Sequence, residues 1–247
     1  MVLFALALFP LAGGEEDGED GFSLEVVSVA AAQRPQRRVY IYHTHTHEAY
    51  AQDPDDPYRP TEKWRTADEN YNMVRVGKEL AEHLRAAGVF VTHDTTDYEM
   101  PRLSTAYSRS LSGIEAAAAE GYDLYLDIHR DAYSKGNGPN TVSVDGRDAA
   151  RVLFLIGQGS GSALDEKPDW QQNEKAALMI AGFMNERVEN MCRGAALKSG
   201  RYNQQAASPS MLIEVGNNLN TLGEALLATA PLSVAICRYF DCLDALP

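Results

Sequence analysis

Three short polar clusters carry residue types that could do chemistry: His43-Thr44-His45-Thr46-His47-Glu48, Asp127-Ile128-His129-Arg130-Asp131 and Glu214-Val215-Gly216-Asn217. Imidazole and carboxylate together make a donor set that suits zinc. A catalytic zinc takes three protein ligands and keeps one position for water. The metal lowers that water's pKa towards about 7, and a nearby carboxylate takes the proton. The chemistry indicated is metal-assisted hydrolysis, with His43 and His129 as ligands and Glu214 as the working carboxylate.

Each cluster also has a plainer explanation. Three histidines within five residues can be a solvated loop. A histidine after a buried strand is often a satisfied core residue. Glu214 follows three apolar residues, where a carboxylate is costly unless paired or coordinated, and it could serve as a cap for the next helix. What favours chemistry is the placement of all three clusters at strand ends, because ligands in open α/β sheets bind outside the carboxyl ends of the strands.

The elements that would position them follow from periodicity. Val39 to Tyr42 reads as a buried strand, and a long polar stretch with Pro54, Pro57 and Pro60 follows it. Loops of that length in compact domains are usually functional. Asn70 to Ala87 has apolar residues at helical spacing, and Gly88 is its stop signal. Val89 to Val91 is the next strand, and Leu103 to Glu120 the next helix. Asp123 to Ile128 is a buried strand that ends at His129. Thr141 to Val144 and Arg151 to Ile156 flank Asp145-Gly146, a hairpin signal. Asn173 to Arg193 is helical, Met211 to Val215 a strand, and Thr221 to Phe240 a closing helix. Alternation of strands and helices predicts an α/β fold: a mostly parallel twisted sheet with helices on both faces.

The bulk numbers narrow the function classes. A formal net charge of −13 disfavours nucleic-acid binding, which needs stripes of Lys and Arg. The basic cluster Arg34, Arg37 and Arg38 reads as a solvated linker. Cys192, Cys237 and Cys242 form no Cys-x-x-Cys pair, which argues against a cysteine zinc site; they read as packing residues or free thiols. Residues 2–14 are an apolar run followed by an acidic string. The run is too short for a bilayer span of about 20 residues and resembles the apolar core of an export signal, or part of an anchor, without its positive leader. The expected organisation is an export or anchor segment with acidic linker over residues 1–36 and a catalytic domain over 37–247.

The motifs Tyr-His-Thr-His-Thr (42–46), Arg-Thr-Ala-Asp-Glu-Asn-Tyr-Asn-Met-Val-Arg-Val-Gly (65–77), Asp-Ile-His-Arg-Asp-Ala (127–132) and Leu-Ile-Glu-Val-Gly-Asn (212–217) resemble, in order, the stage II sporulation protein P family of peptidoglycan hydrolases. That family is similar to zinc N-acetylmuramoyl-L-alanine amidases of the type 3 (phosphorylase/hydrolase-like) fold. The resemblance implies cleavage of the amide between N-acetylmuramic acid and L-alanine, a second activity on peptide cross-links, and an exported, membrane-anchored or wall-associated protein at the boundary between forespore and mother cell. Its implied partners are peptidoglycan, a sporulation lytic transglycosylase and a membrane scaffold.

The resemblance also implies a carboxylate ligand at the start of the first helix. Glu69 matches it, with Asp68 as the alternative or as the helix cap. Because the first cluster holds three histidines, His43 and His45 compete for one ligand position. His43 is taken as nearest the strand end, and His45 is expected to point away towards substrate if the segment stays extended. Arg130, Asn203 and Gln204, with Gln205 beside them, are expected to bind substrate: Arg130 as a bidentate carboxylate clamp, the amides on glycan or stem peptide. Asp127 or Asp131 is expected to orient a ligand imidazole. The rival functions are a zinc carboxypeptidase acting on stem peptides and a non-catalytic wall-binding module.

Overall fold

The computed structural model describes residues 36–132 and 141–245; the expected export or anchor segment lies outside them. Strands β1 (Arg38–Tyr42), β2 (Phe90–His93), β3 (Leu124–Asp131), β6 (Val152–Gly157), β7 (Cys192–Lys198) and β8 (Ser210–Asn217) form one sheet in the order β2-β1-β3-β8-β6-β7. The pairs β1–β2, β1–β3, β3–β8 and β6–β7 are parallel, and β6 runs antiparallel to β8. The sheet is mostly parallel, as expected. The hairpin at Asp145-Gly146 also forms, but its strands are β4 (Thr141–Val144) and β5 (Arg147–Ala150), a separate two-stranded ribbon. The residues expected as its second strand belong instead to β6 in the main sheet.

Helices cover both faces. Helix α1 (Met73–Ala86), α3 (Trp170–Arg187) and α4 (Leu222–Asp244) share one apolar core with Val39 and Ile41 of β1, Leu124, Leu126 and Ile128 of β3, and Met211, Ile213 and Val215 of β8. Helix α2 (Ala106–Glu120) packs on the other face, where Ile114 and Ala117 meet Tyr40, Tyr42 and Tyr125. Successive side chains in a strand point to opposite faces, so β1 sends odd-numbered residues towards α1 and even-numbered ones towards α2. In β3 the parity is reversed: Tyr125, and with it Asp127 and His129, face α2.

Helix α1 starts later than its periodicity suggests. Asn72 is its N-cap, accepting from the Val74 N–H, and Met73, Val76, Leu80 and Leu84 form the buried stripe. Gly88, at φ +88°, ends it in a conformation that only glycine adopts freely. Helix α4 carries a capping box in which Thr221 and Glu224 satisfy each other's backbone N–H groups. Glu214 is therefore not needed as its cap. Among the described residues α4 alone is long and apolar enough to cross a membrane; here it packs against α1 and α3.

Two local readings change. The segment at 192–198, expected to lie partly in a helix, is the edge strand β7. Arg37 and Arg38 are not a solvated linker: Arg37 pairs with Asp123 and Asp244, and Arg38 donates to the carbonyls of Glu120 and Gly121 while lying over the ring of Tyr122. The three cysteines are free thiols.

Candidate active site

The site begins with a register. His129 on β3 lies directly beside Glu214 on β8, and adjacent strands stand about 4.8 Å apart. Both residues fall on the α2 face. Just beyond them the register shifts: Asp131 pairs with Asn217, so β8 carries one extra residue. Gly216 absorbs it at φ +69°, where an added Cβ would come within 2.7 Å of Ala150 and Asn220.

His43 is not part of this arrangement. It continues the odd-numbered face of β1 and sits fully buried on the α1 side. Its Nδ1 is 3.1 Å from the Ile128 carbonyl and its Nε2 is 2.8 Å from Nε2 of His93, with Gly77 packed against both rings. Burial lowers the His43 pKa to about 4 and that of His93 to about 3, so the pair stays neutral at ordinary pH. Strand parity places His43, the expected first ligand, on the face away from His129.

His45 reaches the site because the chain does not stay extended. Asp127 accepts from both the N–H and the hydroxyl of Thr44 at 2.8 and 2.7 Å, and residues 44–47 turn. The turn brings the His45 ring edge-on to His129, with centroids 5.3 Å apart, and edge-on to Tyr107. It also delivers Glu48, the last residue of the first polar cluster. Glu48 Oε2 lies 3.4 Å from His129 Nδ1 and accepts from the Arg130 N–H at 3.2 Å.

Glu69, the expected carboxylate ligand, is exposed in the turn before α1, and Asp68 accepts from both nitrogens of Asn70. The carboxylate at His129 Nδ1 is Glu48. Arg130 is likewise not a free clamp. Its Nε donates to Ala49 O, its Nη2 to Trp64 O, and its Nη1 lies 3.4 Å from Glu48 Oε1. It brackets the loop that holds His45 and Glu48. Asn203 donates to Tyr107 O and to the hydroxyl of Ser110, and Gln204 is bonded to the N–H of Gly157 and the carbonyl of Leu155. These two amides fasten the loop before β8 to the body of the domain. Both amide atoms of the neighbouring Gln205 are buried without a hydrogen-bond partner among the described residues. Asp131 lies 3.4 Å from Arg193, and Asp127 Oδ1 is 2.9 Å from His129 Nε2.

The electrostatics follow from this packing. Burial pushes His129 down, but the carboxylates of Asp127 and Glu48 more than offset it and raise its pKa well above the imidazole range. Burial pushes Glu48 up, and His129 with Arg130 outweighs that, bringing it to about 2. At Glu214 burial wins. Burial raises it to about 8, with His129 pulling it down and Glu48 pushing it up.

Whether these residues suit a metal can be tested on their unsatisfied atoms. Glu214 Oε2 is buried without a hydrogen-bond partner; the likewise unpartnered His45 Nδ1 and His129 Nε2 face the carboxylates of Glu99 and Asp127, which leaves His45 Nε2 and His129 Nδ1 as the nitrogens that would meet a metal. Buried polar atoms are seldom left this way outside functional sites. Among the described residues no three His, Cys, Asp or Glu side chains already form a metal-holding group. The donor chemistry nevertheless fits. Two histidines and one carboxylate are a zinc set, and Nδ1 of His129 stands 3.4 Å from Glu48 Oε2, close to the separation of about 3.4 Å between ligands on a tetrahedral metal with bonds of about 2.1 Å.

The fold places the chain among amidase-like α/β proteins. It superposes on the CwlD amidase from Clostridioides difficile, solved in complex with the GerS lipoprotein, with a TM-score of 0.56 and 14% identity over 84% of this chain and 100% of that one. The catalytic domain of the CD27L endolysin targeting Clostridia difficile gives a TM-score of 0.52 and 16% identity, covering 83% of this chain and 96% of that one. At these identities the likeness is one of fold. Sequence carries the assignment further: the model of the stage II sporulation protein P family matches residues 14–237, and the chain belongs to that family. It is 27% identical over 214 residues to the stage II sporulation protein P of Bacillus subtilis (strain 168), covering 78% of this chain and 49% of that protein. The chain thus spans about half the length of that relative.

Proposed function

We propose that this chain is a zinc-dependent peptidoglycan hydrolase that cleaves the amide between N-acetylmuramic acid and L-alanine outside the cytoplasm during sporulation. The observation that carries the reading is the meeting of His45, Glu48 and His129 beside a largely buried Glu214 at the ends of β1, β3 and β8. His45, Glu48 and His129 would hold the zinc; this set replaces the expected His43, Glu69 and His129. When bound, the metal would polarise the scissile carbonyl and acidify a water.

The protein's own residues do the rest. Glu214 takes a proton as the water oxygen bonds to the carbonyl carbon. It returns that proton to the amine nitrogen as the carbon–nitrogen bond breaks, leaving a lactyl carboxylate and a free L-alanine amine. Asp127 holds the Thr44 turn and faces His129, and Arg130 holds Glu48 in place. The lytic transglycosylase and membrane scaffold implied by the resemblance belong to the same proposal as partners.

Digestion of purified sacculi with mass analysis of the products tests the reading. Release of stem peptides with an L-alanine N-terminus is the expected result. Loss of only the terminal D-alanine would make the protein a carboxypeptidase, opened cross-links alone an endopeptidase, and binding without cleavage a wall-binding module.

A further inference from the structure

The loop after β2 carries a buried carboxylate that this mechanism leaves unused. Glu99 is 3% exposed. Its Oε2 is bonded to Arg65 and lies 3.3 Å from His47 Nδ1. Its Oε1 lies 3.4 Å from His45 Nδ1, and both of these atoms are buried without a completed hydrogen bond. An acceptor and a possible donor therefore face each other across a gap that a small shift closes. Arg65 accounts for one oxygen of Glu99 but not for the other.

The loop is fastened so as to keep Glu99 there. Asp97 Oδ1 accepts from the Thr46 hydroxyl and from the Glu99 N–H, both at 3.0 Å, while Asp97 Oδ2 lies 2.9 Å from His47 Nε2. The turn that presents His45 is thus tied at two neighbouring positions, Thr46 and His47, to the segment that presents Glu99.

We infer that Glu99 is the positioning residue for His45: it accepts a hydrogen bond from Nδ1–H, fixes that tautomer, and leaves the Nε2 lone pair for the metal. A carboxylate on the far nitrogen of a ligand imidazole orients the ring and raises its basicity. The inference rests on the reading of His45 as a zinc ligand. It adds an asymmetry. Asp127 faces His129 Nε2, so the two histidines present opposite nitrogens, Nε2 from His45 and Nδ1 from His129.

The test uses the full chain labelled with 15N-histidine. Long-range proton–nitrogen spectra at about pH 8, above the ordinary histidine range, report which nitrogen of His45 carries the proton, with and without zinc. Nδ1–H in both states is expected. A proton on Nε2 overturns the inference, and this measurement needs no variant that could misfold. Competition with a coloured chelator then gives zinc affinity. Glu99→Gln is expected to weaken it by roughly 10- to 100-fold; unchanged affinity in a folded Glu99→Gln protein overturns the positioning role. Wild-type affinity in His45→Ala would instead sink the underlying zinc reading, and this inference with it.

Discussion

Glu214 and His129 are in-register neighbours on the parallel strands β8 and β3, both on the face covered by α2. The proposed general base and a proposed ligand, fixed to adjacent strands of a packed sheet, have little freedom to drift apart, and this arrangement suits preorganised catalysis. Replacing Glu214 with Gln keeps the shape and removes the base. The expected outcome is a fall in kcat of roughly 10²- to 10⁴-fold with unchanged zinc content, measured as new amino termini released from sacculi. Full lytic activity in the variant would remove Glu214 from the mechanism.

Arg130 distinguishes a bracket from a clamp. Its guanidinium reaches Ala49 O, Trp64 O and Glu48, so Arg130→Leu removes a cation from beside Glu48 and a donor from each of two loop carbonyls, while Glu48 keeps the Arg130 N–H and His129. We expect a loss of about 1–3 kcal/mol of stability in urea unfolding, as for hydrogen bonds removed from partly buried groups. Arg130→Lys should recover only part of it, since lysine lacks the planar fork. A substrate clamp would behave differently, raising KM while stability held.

Much of the scaffold was legible in the sequence because its signals are local. The stripe of α1, the buried runs of β1, β3 and β8 and the Thr221–Glu224 start of α4 are written in contiguous residues. Strand β7 was missed because Cys-Arg-Gly-Ala-Ala-Leu-Lys lacks the β-branched and aromatic residues that mark strands; its place at a sheet edge comes from pairing with β6. The proposed ligand set was only half legible. The odd-numbered run Val39, Ile41, His43 does put His43 on one face, but β1 is buried on both faces, so nothing local says which face holds the site. The turn that brings in His45 and Glu48 depends on Asp127 capturing Thr44, a contact between distant parts of the chain. The spacing His45-Thr-His-Glu48 was the available clue to Glu48.

Gly77 is the counterpart of the buried histidine pair. A Cβ there would lie 2.5 Å from the His43 ring and 2.7 Å from that of His93. Alanine improves helix propensity by about 1 kcal/mol, yet overpacking of this kind costs about 1–3 kcal/mol. Gly77→Ala should therefore be neutral to destabilising, by up to about 2 kcal/mol, in urea unfolding. A gain of a full 1 kcal/mol would show that the rings can move aside.

The same pair sets an acid limit. His43 and His93 have folded-state pKa values lowered by burial to about 4 and about 3. Below the unfolded-state value of about 6.5 the unfolded chain binds protons that the folded one refuses, so stability falls as pH drops through that window. The loss is absent above about pH 6.5 and reaches about 3 kcal/mol for His43 by pH 4. His93→Gln should flatten the slope of stability against pH between about 6.5 and 4. An unchanged slope would mean that other groups govern acid unfolding.

Anomalous diffraction at the zinc edge from crystals of the zinc-loaded protein tests the central claim most directly. The predicted result is one peak within about 2.0–2.2 Å of donor atoms from His45, Glu48 and His129, with Glu214 beside it and outside the coordination sphere. A peak held by His43, His93 or Glu69, or no peak at all, would contradict it.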